Sequence, residues 1–263
     1  AALALERTQL AADLESSRIA TETESLRAAL LSSVSHDLRT PLVSVLGAAE
    51  TLTHEDAMLT AATRRELAAH ILVEAERLNR FVQNLLDMTR LSYGKLAPRL
   101  DVCDLHELLA GARQRVERQL GRRSLQIDVA PGIPLVQVDA LLIEQVLVNL
   151  LDNALKYSPA DTPVRVDCLR EGDSVLITVS DRGPGIPEAD REKVFDMFFR
   201  VKRGDNRAAG TGLGLAICRG ILAAHGGSIR VGTPRDGLGT RMEVRLPALA
   251  STAGPVPAAR TAA

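Results

Sequence analysis

Residues 149–157 read Asn149-Leu150-Leu151-Asp152-Asn153-Ala154-Leu155-Lys156-Tyr157, and residues 210–215 read Gly210-Thr211-Gly212-Leu213-Gly214-Leu215. In the first stretch Asn149 and Asn153 stand one helical turn apart on a shared face, with Lys156 and Tyr157 a turn further on. Amide oxygens are hard donors suited to Mg2+, and lysine brings a point charge to phosphate. Taken alone, the stretch fits surface amides on an ordinary helix equally well. In the second stretch, glycines at a helix start leave backbone N–H groups open to an anionic phosphate. A lone Gly-x-Gly-x-Gly is weak, because flexible loops carry it often.

Between the two lies Asp181-Arg182-Gly183-Pro184-Gly185-Ile186, directly after the β-type run Val175–Ser180. A carboxylate at a strand end, followed by glycines that admit a ligand close to the backbone, suits the exocyclic amine of adenine. Guanine presents an oxygen there and is rejected. In isolation this stretch is more simply an Asp-Gly-Pro turn. Phe195-Asp196-Met197-Phe198-Phe199-Arg200 follows, and then a polar, basic run over 201–209. That run reads as a lid over a nucleotide, with Arg200, Lys202 or Arg203 within reach of phosphates. A solvated loop explains any one of these three cations equally well.

Working outward, residues 96–249 alternate two patterns. Short β-type runs occur at Leu125–Val129, Val164–Leu169, Val175–Ser180, Ser228–Val231 and Arg241–Leu246, with helical patterns at Asp104–Leu120, Asp139–Tyr157 and Gly212–His225. Strands mixed with helices predict an α/β sandwich, one sheet covered by helices on one face.

The first third is different. Val34, Leu38, Leu42, Val45, Ala49 and Leu52 recur at steps of three or four, and so do Leu67, Ile71, Leu78, Val82, Leu85 and Leu86 after a break around 53–62. Two amphipathic helices make a hairpin that cannot cover its own apolar stripes, which predicts pairing of two chains into a four-helix bundle. Residues 1–30 read as a coiled-coil lead-in with an imperfect heptad register. Tyr93-Gly94-Lys95, with Pro98 after it, marks a hinge. The Ala-, Pro- and Thr-rich residues 250–263 read as a disordered tail.

Within the first helix stands Ser35-His36-Asp37-Leu38-Arg39-Thr40-Pro41-Leu42. His36 lies off the apolar seam, so its ring faces solvent, and a neutral imidazole can attack phosphorus without a strong base. Asp37 beside it can accept a proton or fix the ring tautomer. Pro41 lacks an N–H, frees the carbonyl of Asp37 and bends the helix where the histidine is displayed. By contrast His54, His70, His106 and His225 read as ordinary surface histidines.

Composition narrows the options. The 263 residues carry a formal charge of −1, with no Trp, two Tyr and four Phe. Scattered positive charge and the lack of stacking residues argue against nucleic acid as a partner. The most apolar stretch, Leu141–Leu151, is interrupted by Glu144, Gln145 and Asn149 and falls short of the ~20 residues that span a bilayer. No segment has the layout of a signal peptide. Cys103, Cys168 and Cys218, at unrelated spacings, read as small buried residues in a reducing compartment. The chain opens Ala-Ala-Leu, already inside a helical pattern, which leads us to expect an upstream portion that would hold any stimulus-sensing region.

The string around His36 resembles the phosphoacceptor box of histidine kinases nearly residue for residue. The three later clusters in order, with the aromatic box between the last two, resemble the N, G1, F and G2 boxes of the same family, within the wider ATPase superfamily that includes gyrase and MutL. Met197 is a departure, since relatives often carry Pro or Lys there. The match covers about residues 30–247. The opening Ala-Ala-Leu-Ala-Leu-Glu-Arg and the string Gly-Leu-Ala-Ile-Cys-Arg make the chain most similar to the potassium-responsive Kdp-type sensor kinases.

That resemblance implies an α+β protein: a dimerising hairpin at 31–93, then a Bergerat-type α/β sandwich at 96–249 that binds ATP. It implies His36 as phosphoacceptor, Asp37 as its acid–base partner, and Thr40 with Asp37 in orienting water to dephosphorylate a regulator. Asn153 would hold Mg2+, with Asn149 near metal and phosphates, while Lys156 and Tyr157 contact phosphate, ribose or lid. Asp181 would read adenine. Gly183, Gly185, Ile186, Arg200, Gly210, Thr211, Gly212, Leu213 and Gly214 would shape the pocket and lid. The implied partners are a second copy and a response regulator, with the membrane reached only through a preceding region. The chain would then be the cytoplasmic portion of an inner-membrane protein. Two other readings remain: a gyrase-type mechanical ATPase with Glu144 activating water, and a dimeric scaffold that has lost activity.

Overall fold

The computed structural model describes residues 38–54, 59–92, 97–201, 212–234 and 237–249. The chain divides into two compact units, Ala1–Gln83 and Asn84–Ala263. The lead-in at 1–30, the tail at 250–263, His36, Asp37, the hinge at 93–95, most of the lid, Gly210 and Thr211 lie outside the described residues.

In the first unit, residues 38–54 form helix α1, and α2 (Ala61–Ser92) begins here and runs on into the second. α1 continues helically through Pro41, which is buried together with Ala48 and Phe81. On α2, residues 67, 71, 74, 78, 81, 85 and 88 are all half-buried or buried, an alternation of four and three that defines one stripe, with 63, 77, 84 and 87 also withdrawn from solvent. Of the stripe expected on α1, Leu38, Val45, Ala49 and Leu52 are half-buried, and Leu42 is exposed. Leu42 is 48% exposed, as are Leu46 (52%) and, on α2, Leu72 (53%) and Val82 (42%). Large apolar side chains stand in water because a hairpin has only one inner seam.

In the second unit, β1 (Asp101–Cys103) and β3 (Val136–Val138) form a small antiparallel pair. The main sheet contains β2 (Leu125–Val129), β4 (Val164–Glu171), β5 (Ser174–Ser180), β6 (Ser228–Gly232) and β7 (Arg241–Pro247), in the order β2-β4-β5-β7-β6. All ladders are antiparallel except β2–β4, which is parallel. Alternation along the strands places two apolar rows on one face. They are Ile127, Val166, Val179, Met242, Val231 and Val129, Cys168, Ile177, Val244, Ile229.

Helices α3 (Leu105–Leu120), α4 (Ala140–Tyr157) and α5 (Gly214–Ala224) supply the matching apolar surface. α4 buries Ile143, Val146, Leu147, Leu150, Leu151, Ala154 and Leu155. Each Val, Leu or Ile among them contributes about 1.5–3 kcal/mol by leaving water. The other sheet face is charged: Asp128, Asp167, Thr178, Glu243 and Arg230 form one cross-strand row, with Arg165 bonded to Asp167 (2.7 Å) and Arg230 paired with Glu243 (2.6 Å). The expected sandwich, one sheet with helices on one face, is what the chain forms. No helix among the described residues is long and apolar enough to cross a membrane.

Candidate functional site

α4 starts at Asp139, whose carboxylate accepts from Leu142 N (3.3 Å), as an N-cap should. Its apolar residues claim the buried face, which leaves Asn149 and Asn153 at the border and Lys156 and Tyr157 exposed at the C-terminal end. Lys156 Nζ lies 4.9 Å over the Tyr157 ring. Glu144 points elsewhere. It pairs with Arg115 of α3 (2.8 Å) and lies so close to Gly111 that a Cβ there would meet its Oε1 at 2.5 Å. A carboxylate tied to α3 is not free to activate water beside the asparagines.

Asp181 ends β5. Its Oδ1 accepts from Gly183 N (2.7 Å) and Thr240 N (3.2 Å), while its own N–H donates to Thr240 O (2.9 Å). Burial pushes this carboxyl above the usual aspartate range, against the pull of those donors. Both backbone N–H groups land on Oδ1, and the Thr240 side chain also bonds this carboxylate, so the Asp181 carboxyl is held in place by its surroundings.

Three glycines bring the separate motifs together. A Cβ on Gly183 would stand 2.7 Å from Tyr157 O, so the Asp181 loop lies against the end of α4. A Cβ on Gly214 would lie 3.9 Å from Asn149 Oδ1, so the start of α5 lies against the middle of α4. A Cβ on Gly212 (φ 69°) would meet the Phe198 backbone at 2.7 Å, and Phe198 N donates to Gly212 O at 3.0 Å. Phe198 itself has φ 63°, a left-handed conformation that costs a residue with a side chain about 1 kcal/mol or more. Arg219 of α5 pairs with Asp196 (3.3 Å) and covers the Phe195 ring at 5.7 Å.

The second unit thus gathers Asn149, Asn153, Lys156, Tyr157, Asp181, Gly183, Gly185, Gly212, Leu213 and Gly214 around α4 and the start of α5. Leu213 is fully buried, Ile186 is half-buried, and Arg200 and Met197 are exposed. Thr40 is exposed on α1, in the other unit.

Two contributors were not legible in the sequence. Gly239 (φ 84°) sits against the Asp181 backbone, where any side chain would run into the Asp181 carbonyl, and its own O lies 2.9 Å from where a Gly185 Cβ would stand. In the sequence, Gly237-Leu238-Gly239-Thr240 looks like any hairpin turn. His225 corrects an expectation: it is 7% exposed rather than on the surface. Its Nδ1 donates to Ile221 O (2.7 Å) and its Nε2 accepts from Asp139 N (3.0 Å), which ties the end of α5 to the cap of α4. Of the cysteines expected to be buried, Cys168 and Cys218 are, and Cys103 is only half-buried.

Comparison with known proteins matches residues 26–94 to the His Kinase A (phospho-acceptor) domain. Residues 138–250 match the histidine kinase-, DNA gyrase B-, and HSP90-like ATPase family. The sensor protein KdpD of Escherichia coli K12 is 39% identical over 244 residues, which is 93% of this chain and 27% of that protein. KdpD of Clostridium acetobutylicum is 38% identical over 230 residues, 87% of this chain and 25% of that protein. The chain therefore spans about a quarter of the length of these relatives. Among solved structures, the mycobacterial sensor histidine kinase MprB is 31% identical with a TM-score of 0.51, over 57% of this chain and 98% of that one. The phosphoacceptor match in the first unit and the ATPase match in the second, found in one chain, make it a member of the sensor histidine kinase family.

Proposed function

We propose that the chain binds Mg-ATP in the second unit, phosphorylates its own His36, and passes the phosphoryl group to an aspartate of a response regulator. The observation that carries this reading is the convergence of four sequence-distant motifs through Gly183, Gly212 and Gly214 onto one helix. The corresponding divisions are a phosphotransfer domain at 31–93 and a catalytic domain at 96–249.

The roles follow from chemistry. Asp181 accepts the adenine amine, and Gly183, Gly185 and Ile186 let the base approach. Lys156 and Arg200 meet phosphate, Tyr157 meets ribose or lid, and Gly210, Thr211, Gly212, Leu213 and Gly214 present backbone N–H groups. Asn149 and Asn153 offer amide oxygens that fit a divalent cation, and Asn153 would hold it. When bound, Mg2+ neutralises charge on the phosphates. The imidazole nitrogen of His36 attacks the γ-phosphorus, an N–P bond forms as the bond to ADP breaks, and Asp37 takes the ring proton. Positioning and charge compensation dominate such a transfer. Thr40, four residues after His36 in the sequence, with Asp37 orients water when the regulator is dephosphorylated. Leu42, Leu46, Leu72 and Val82, exposed on the hairpin, are covered by a second copy. Similarity to KdpD supports potassium as the stimulus and a membrane location, both through a preceding region.

Incubation with γ-labelled ATP tests the reading. Acid-labile, alkali-stable label on the protein is expected, and Asn153→Ala should lower label and Mg-ATP affinity together. Release of free phosphate without labelled protein would favour the gyrase-type reading, against which the Glu144–Arg115 pair already speaks. A chain that binds nucleotide and neither acquires label nor releases phosphate would instead be a scaffold.

A further inference from the structure

Cys218 lies on α5 one turn after Gly214 and is fully buried. Its S–H donates to the carbonyl of Val146 on α4, with sulfur and oxygen 3.9 Å apart. Val146 and Asn149 are three residues apart and share a face, so the thiol also meets the Asn149 side chain. Asn149 Nδ2 is buried and has no well-aligned hydrogen-bond acceptor in the protein. Burial pushes the Cys218 thiol up to about 12, and the Asn149 amide pulls the other way, the effect of an N–H turned toward sulfur. The two side chains are thus neighbours with no aligned hydrogen bond between them. Asn149 Oδ1 meanwhile faces the start of α5, 3.9 Å from where a Gly214 Cβ would stand.

The two orientations of a carboxamide have nearly the same shape, so hydrogen-bond partners decide between them. A thiol whose proton is committed to Val146 can only accept from its other neighbour. An amide that faces an acceptor must turn its NH2 to it and its oxygen away. Here the oxygen turns toward the phosphate-binding end of α5, where a flipped amide would present N–H groups to a cation and repel it.

We propose that Cys218 is a positioning residue: through its bond to Val146 it fixes the Asn149 carboxamide with Nδ2 inward and Oδ1 turned to the cation that accompanies the nucleotide. This deepens the Mg-ATP reading and rests on it. It makes the side chain at 218 a determinant of metal dependence. Nucleotide contacts that need no metal are left alone.

The test uses the full chain and ADP, with affinity measured calorimetrically across a Mg2+ series and without Mg2+, and melting temperature recorded alongside. Cys218→Val keeps the volume and removes both hydrogen-bond functions. The strengthening of ADP binding by Mg2+ should fall about tenfold, as for other residues that orient a metal ligand, while Mg-free affinity stays within about twofold. Cys218→Ser, whose hydroxyl donates and accepts, should restore the strengthening. If Cys218→Val does not fold, Cys218→Ala is read by the same criteria. The proposal is overturned if Mg2+ strengthens binding to the apolar variant as much as to the parent. It is also overturned if affinity falls equally with and without Mg2+, which would be packing alone, or if serine behaves like valine. Failure of the parent chain itself to bind ADP more tightly with Mg2+ would remove the underlying reading as well, and Asn153→Ala serves as the control that separates the two cases.

Discussion

The hairpin and the α/β unit solve the problem of apolar surface in opposite ways. In the α/β unit Leu108, Leu147, Leu150 and Ile177 are 0–2% exposed, and the sheet brings two complete apolar rows to its helices. On the hairpin, Leu42, Val43, Leu46, Leu72 and Val73 are 48–60% exposed. One unit completes a core within a single chain, and the other leaves large apolar side chains of both helices exposed. The division teaches that the unit gathering the nucleotide motifs can be built by local packing, whereas the exposed apolar side chains of the hairpin fit the second copy proposed above.

The sharpest way to break that division is His36→Gln. Label from γ-labelled ATP should vanish, while nucleotide affinity, read by calorimetry, stays at the parent value. A matching loss of affinity would mean that the two functions do not reside in separate units. Next in size, Leu46→Glu with Leu72→Glu places charge on the reserved surface. Light scattering should show monomers, and the α/β unit should bind nucleotide unchanged.

Within the α/β unit, Gly239→Ala should lower stability by about 1–3 kcal/mol, since φ 84° and the Asp181 backbone both oppose a side chain. Chemical denaturation measures this, and an unchanged midpoint would refute the tight approach. The smallest effect concerns pH. Because burial raises the folded-state pKa of Asp181, the native unit holds that proton more tightly than the unfolded chain. This carboxyl therefore works against folding as pH rises from the unfolded to the folded pKa. Adenine, as donor, needs the ionised form, so ADP affinity should weaken on acidification from a higher pH than an ordinary aspartate would cause. Asp181→Asn should remove that inflection.

Much of the α/β unit was legible in the sequence because four main strands carry a period-two pattern and β5 a continuous β-type run, each between turn residues. Val175–Ser180 was expected, and the strand gains only Ser174. β1 and β3 were not, since three residues are too few to show a period. The motif residues announce themselves by type and order, but the parts that hold them do not. Gly239 supports Asp181 from 58 positions away, and His225 is buried by partners on two helices. On the hairpin, the step-of-three-or-four spacing picked out half-buried positions such as Leu38, Val45, Leu67 and Leu78, but it included exposed Leu42 and missed buried Ala48.

The charged side of the sheet has a consequence for assembly. Asp167 and Glu243 are each 8% exposed yet are held by Arg165 and Arg230, so the uncovered strands present ion pairs where two such sheets would otherwise stack. A surface already satisfied in this way gains little from a second sheet and must shed bound water to meet one. Where two copies approach through this face, satisfied ion pairs meet satisfied ion pairs, and the sheet itself offers little reason for them to stay together.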